Sequence, residues 1–105
     1  MHTKSSFDAQ ESRVPNEILA AMISVTINRA PADTVVFIDG VQLPQAVSSM
    51  RLPPGTHTLR TRIDGDAGDT GTGKVLLGDQ VLCEETARIP AGFSRAYSAE
   101  GRFNV

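Results

Sequence analysis

Gly68, Gly73 and Lys74, in the stretch GDTGTGKV from Gly68 to Val75, fall on G-x-x-x-x-G-K, the spine of a phosphate-binding loop. That chemistry needs a buried parallel strand before the loop and a helix after it, so that backbone N–H groups and the helix dipole converge on the phosphates. The flanks do not supply these. LRTRID, before the loop, alternates polar and apolar residues like a half-exposed antiparallel strand, and VLLGDQVL, after it, breaks at Gly78-Asp79 after three apolar residues. Val75 stands where Ser or Thr would hold magnesium, and Asp64, Asp66 and Asp69 would repel a triphosphate. The motif matches by spacing alone.

The same aspartates suggest a second chemistry. Asp64-x-Asp66-x-x-Asp69 sets three carboxylates at close spacing, and hard oxygen ligands are what calcium takes. The loop departs from an EF-hand: Gly68 and Asp69 fill its fifth and sixth positions, no Glu closes it, and flanking helices are missing. Asp64, Asp66 and Asp69 are therefore candidate ligands for a weak calcium site only. The plainer reading of residues 64–73 is a long, solvated, acidic, glycine-rich hairpin loop.

Arg60 and Arg62 share one face of a predicted strand, and Arg51 would neighbour them across a Pro53-Pro54-Gly55 hairpin. Three guanidiniums there would bind an acidic protein partner or pair with Glu84 and Glu85 on another strand. His57 lies on the opposite face of that strand with Leu59, Thr61 and Ile63, which suits a packed, hydrogen-bonded histidine at a sheet margin. No Ser/His/Asp set and no second-histidine metal spacing accompanies it, so no catalytic residue and no cofactor is assigned. Cys83 is the single cysteine, which excludes an intrachain disulfide and a cysteine-based zinc site and reads as a small buried apolar residue.

The elements that must position these residues are bounded by composition. A chain of 105 residues with 40% hydrophobic and 21% charged residues suits one globular domain. With four Phe, one Tyr and no Trp, the core must be built from Val, Ile, Leu and Ala. The net charge of -2 argues against a general nucleic-acid binder. Eight of the ten basic residues are Arg, whose planar fork suits protein contacts and cross-strand ion pairs. No stretch approaches the length of a membrane helix, Asp8, Glu11 and Glu17 are wrong for the start of a signal peptide, and no cysteine near the start offers a lipidation site. The chain reads as soluble, without membrane insertion.

Residues 1–22 read as an N-terminal arm, mobile or ordered by a partner, within which residues 15–22 suit a short helix or a strand equally. From Ile23 the period becomes two, with Ile23, Val25 and Ile27 on one face. Thr34 to Ile38 follows as a strand, and Asp39-Gly40 marks a tight turn because both residues accept a positive φ. Further short apolar runs are punctuated by Pro53-Pro54-Gly55, Gly78-Asp79 and Pro90-Ala91-Gly92. Seven or eight short strands at such spacing predict an all-β domain over residues 23–105, a single small antiparallel β-sandwich.

VVFIDG (Val35 to Gly40) followed by RLPPGTHTLRTRIDG (Arg51 to Gly65) resembles the PEGA domain and related small bacterial lipoprotein-like domains that read strand-DG, then L-x-PG-x-H-x-L/V. Ile89 to Tyr97 looks like the strand that follows in the lipoprotein-like group. The chain departs from the pattern in carrying Gly65-Asp66 after the second strand and in lacking a lipobox. The resemblance implies a small Ig/PEGA-like sandwich used as an accessory or binding module, with no catalytic residues to transfer. The expected function is a non-catalytic protein-interaction or structural module. It would be a subunit of a larger assembly, envelope-associated or viral, with a protein partner or a homo-oligomer. The alternative is an ion- or ligand-binding module using loop 64–73.

Overall fold

The computed structural model describes residues 21–105. The expectations for the N-terminal arm, including the helix or strand before Met22, lie almost wholly outside these residues. The described chain is all-β, with nine strands in two antiparallel sheets that face each other as a small β-sandwich. Sheet A carries β1 (Ile23–Ala30), β4 (Ser49–Leu52), β6 (Thr70–Leu77) and β7 (Gln80–Arg88) in the order β4-β1-β6-β7. Sheet B carries β2 (Val35–Ile38), β3 (Val41–Gln42), β5 (Thr56–Asp64), β8 (Arg95–Tyr97) and β9 (Gly101–Asn104). Its order is β3-β2-β5-β8, with β9 also paired to β5. Among the described residues, no helix is long and apolar enough to cross a membrane.

Tight turns close the hairpins where the sequence places them. Asp39 and Gly40 both adopt positive φ, 53° and 80°, as the primed turn between β2 and β3 requires. Gly78-Asp79 joins β6 to β7 directly, with Leu77 opposite Gln80. The Pro53-Pro54-Gly55 turn does something different: it carries the chain from β4 in sheet A to β5 in sheet B. The chain end is tied beside that turn, because Gly55 and Val105 exchange backbone hydrogen bonds of 3.0 Å.

The alternation of β5 sends His57, Leu59, Thr61 and Ile63 inward, all buried. A main cluster forms from Val25, Ile27, Val36, Ile38, Leu43, Leu52, Leu59, Val75 and Phe103. A smaller one at the far end of β5 joins Ile63, Ala87 and Ile89. Between them the sheets close on glycines. A Cβ on Gly71 would sit 2.9 Å from Thr34 Oγ1, and one on Gly73 would sit 2.7 Å from Thr61 Oγ1 and 2.9 Å from Val36. Real Cβ atoms do not approach that closely, so only glycine allows the two layers this separation.

This corrects the reading of residues 64–73 as one long loop. Strand β6 begins at Thr70, and the connection between β5 and β6 is residues 65–69. Gly71, Gly73 and Val75 are the inward positions of an ordinary period-two strand. Glycine carries no hydrophobic signal, so the alternation did not register as one.

Arg29 occupies an inward position at the end of β1, level with Gly73. Its guanidinium donates to Val47 O (2.7 Å) and Pro44 O (3.0 Å), and Gln45 Nε2 donates to Ala32 O and Thr34 O. These bonds tie the connection between β3 and β4 across the open end of the sandwich.

Candidate functional site

Arg60 and Arg62 point away from the core on the outer face of sheet B, as the alternation of β5 requires. Phe37 on β2 is the register partner of Arg60, and Tyr97 on β8 is the partner of Arg62. The two rings flank β5 with centroids 6.1 Å apart at 40°. Tyr97 is 52% exposed, while Phe37 is half-buried. A shallow depression of about 200 Å³ is lined by Phe37, Gly40, Arg60, Tyr97 and Glu100. Arg62 lies deeper than Arg60, with its Nε buried and without a hydrogen-bond partner.

The edge of this face has its own shape. In β5–β8 the paired numbers advance with Arg62 opposite Tyr97, while in β5–β9 Leu59 faces Gly101, so one extra residue sits between. Strands β8 and β9 are thus one edge strand broken by a bulge at Ser98–Glu100. Ser98 fills the gap: its Oγ accepts from Thr61 N (2.9 Å) and donates to Ala99 O (2.7 Å). The bulge swings Glu100 to the rim of the depression.

Arg51 is not part of this face. Because the Pro-Pro-Gly turn crosses between sheets, Arg51 lies in sheet A opposite Ser24 of β1, and the expected neighbourhood of Arg51, Arg60 and Arg62 does not form. Glu84 and Glu85 are likewise in sheet A, opposite Lys74 and Gly73. The carboxylate that meets Arg62 is Asp64, at 3.3 Å, and Asp64 also accepts from Arg95 Nε at 2.5 Å. The hydrogen bond from Arg95, then the charge of Arg62, holds the Asp64 carboxyl below its ordinary value.

The three aspartates proposed for calcium do not converge. Asp64 is engaged by the two arginines, and Asp69 Oδ2 accepts from the Asp66 backbone N–H at 2.9 Å, closing a turn within residues 65–69. Among the described residues, no group of three or more His, Cys, Asp or Glu side chains is placed to hold a metal ion. The Asp39 carboxylate has a structural partner that sequence reasoning did not find. It reaches from the β2–β3 turn to β5, accepting from Thr58 N (2.9 Å) and meeting His57 Nδ1 (2.7 Å), while His57 Nε2 meets Pro53 O (2.8 Å). Both ring nitrogens face acceptors, so the ring satisfies both only as the imidazolium. Burial opposes that charge, but the hydrogen bonds to Asp39 and Pro53 and the Asp39 charge outweigh it and raise the His57 pKa. Neither nitrogen is left to serve as a general base.

Cys83 is half-buried on the inner side of β7, next to Glu85 and against Gly101. Burial, then the Glu85 charge, pushes its thiol above the ordinary value, which favours the protonated form over the nucleophilic thiolate.

The aromatic residues of the face were hidden from sequence reasoning for a specific reason. Phe37 lies in the continuous apolar run Val35 to Ile38, where periodicity does not reveal which residue points outward. Only pairing to β5, with Val36 and Ile38 buried on either side, shows that Phe37 faces out. No protein family, no curated protein and no solved structure matches the chain.

Proposed function

We propose that this chain is a non-catalytic interaction module, a small accessory or structural subunit of a larger assembly, which docks a protein partner on the outer face of sheet B. The observation that carries the reading is the placement of the aromatics. Of the four in the described residues, only Phe103 is buried in the core; Phe37, Phe93 and Tyr97 are half-buried or exposed. Keeping large apolar rings beside arginines on a sheet face gives the residue mixture that dominates protein interface energetics. The PEGA-like order of the DG and PG turns is in keeping with an accessory sandwich of this kind, in an envelope or particle assembly.

The test is affinity capture from the native source with the wild-type chain, an Arg60→Glu/Tyr97→Ser variant, and a Lys74→Gln control on sheet A. The reading expects one stoichiometric partner retained by wild type and control and lost by the double variant. Equal retention by all three would remove the face from consideration.

A further inference from the structure

The four free sheet edges differ in how they are protected. Strand β3 has two residues, β4 has four, and β8/β9 is broken by its bulge. Strand β7 has nine residues and is hydrogen-bonded on one side only, to β6. Among the described residues, no backbone bond outside that ladder involves Gln80–Arg88. The register shift in β6–β7 falls at Leu82, near the hairpin tip, so Cys83 to Arg88 runs as a regular strand with an open edge. Such an edge is a template for another strand.

The side chains along it are self-complementary. Glu84, Thr86 and Arg88 lie on the outer face, opposite Lys74, Thr72 and Thr70, while Glu85 and Ala87 share the inner face with Cys83. Among the described residues, no ion pair uses Glu84 or Arg88. We propose that β7 pairs antiparallel with β7 of a second copy, with Thr86 on the two-fold axis. Each Glu84 then stands opposite the Arg88 of the other copy, twice by symmetry, and Glu85 stands opposite Ala87. The Thr72–Thr86 hydroxyl contact of 2.8 Å becomes half of a threonine row running through the axis. The result is one continuous eight-stranded sheet.

Neighbouring registers lose these contacts. An axis on Glu85 sets Glu84 against Thr86 and Arg88 against Leu82. An axis on Ala87 sets Glu84 against Pro90, which has no N–H to donate. A one-residue slip in the pairing would run the outer face of one copy into the inner face of the other. The edge lies in sheet A, so the proposal stands apart from the partner face on sheet B.

The test is sedimentation of the full chain across a concentration series. Wild type is expected to dimerise. Glu84→Arg and Arg88→Glu each place two like charges across the axis and should weaken the dimer about tenfold. The Glu84→Arg/Arg88→Glu double variant restores the pairs in reversed order and should recover wild-type dimerisation. In a Cys83→Ser background, Thr86→Cys should oxidise to a covalent dimer and Thr72→Cys should not. A wild-type chain that stays monomeric throughout, single variants that dimerise like wild type, a double variant no better than the singles, or equal cross-linking at positions 72 and 86 would each overturn the proposal.

Discussion

The outer faces of the two sheets are built by the same alternation and carry different chemistry. On sheet A two of the outward rows are Asn28–Lys74–Glu84 and Ala30–Thr72–Thr86, with opposite charges set across strands and two threonine hydroxyls bonded to each other, while Leu76 and the exposed Val81 make a small aliphatic row near the hairpin tip. Its depression, about 290 Å³, is lined largely by polar or small residues, among them Asn28, Ala30, Thr72 and Lys74. On sheet B the corresponding rows hold Phe37 beside Arg60 and Arg62 beside Tyr97, two rings and two guanidiniums together. Polar rows of this kind lose little by remaining in water. A face that exposes rings gains when a partner covers them, at about 25 cal/mol for each Å² of apolar surface removed from water. On the proposed reading, sheet A faces solvent apart from its β7 edge and sheet B meets the partner.

The comparison depends on an interior that holds both faces in place, so the largest effect belongs there. Gly73→Val should clash with Thr61 and Val36 across the waist of the sandwich and cost about 3 kcal/mol in urea unfolding. Thr72→Val, its outward neighbour on β6, should change stability by less than about 0.5 kcal/mol. A tolerated Gly73→Val would mean that the sheets are not held at this separation, and the face geometry would lose its support.

Arg29→Met should come next. It removes two charge-assisted bonds to Pro44 and Val47 carbonyls and should cost about 1–2 kcal/mol, measured by the same unfolding. Because the loss lies at the end of sheet A, binding through sheet B should survive it.

The Asp39–His57 pair gives the smallest effect and a pH signature. His57 is raised from an ordinary 6.5, so the stability it contributes is complete below pH 6.5 and fades as pH rises through its folded value. Asp39 is lowered from an ordinary 3.8, burial opposing and the His57 and Thr58 hydrogen bonds prevailing, so its contribution is complete above that pH and fades as pH falls through the folded value. The pair therefore adds most between about pH 4 and 6.5. Asp39→Asn keeps a residue that accepts the positive φ of the turn and should lower thermal stability within that window and remove the pair's share of the falls on either side of it. An unchanged pH profile would show that the pair carries no charge.

These effects follow how much the residues reveal on their own. The hairpin at Asp39-Gly40 and the inward face of β5 were legible, because turn chemistry and a clean polar–apolar alternation are local signals. Strand β6 was partly hidden because Gly71 and Gly73 face inward without side chains, and their reason is the opposite sheet, brought close only by the fold. Arg51 was misplaced because a Pro-Pro-Gly turn fixes a change of direction but not whether the chain stays in one sheet. Arg60 and Arg62 were found as a pair, since two residues apart on a strand is a local fact. Their ring neighbours, and Arg95 as a partner of Asp64, come from strand pairings that no local pattern encodes.

The central claim is that the outer face of sheet B, and not that of sheet A, meets a protein partner. A photo-activatable cross-linker placed at Tyr97, and in a separate chain at Thr72, tests it directly when both are irradiated in the native source. The account predicts a discrete heavier species containing one partner from position 97, and from position 72 no adduct other than with a second copy of the chain. The same partner captured equally from both positions, or from position 72 alone, would contradict it.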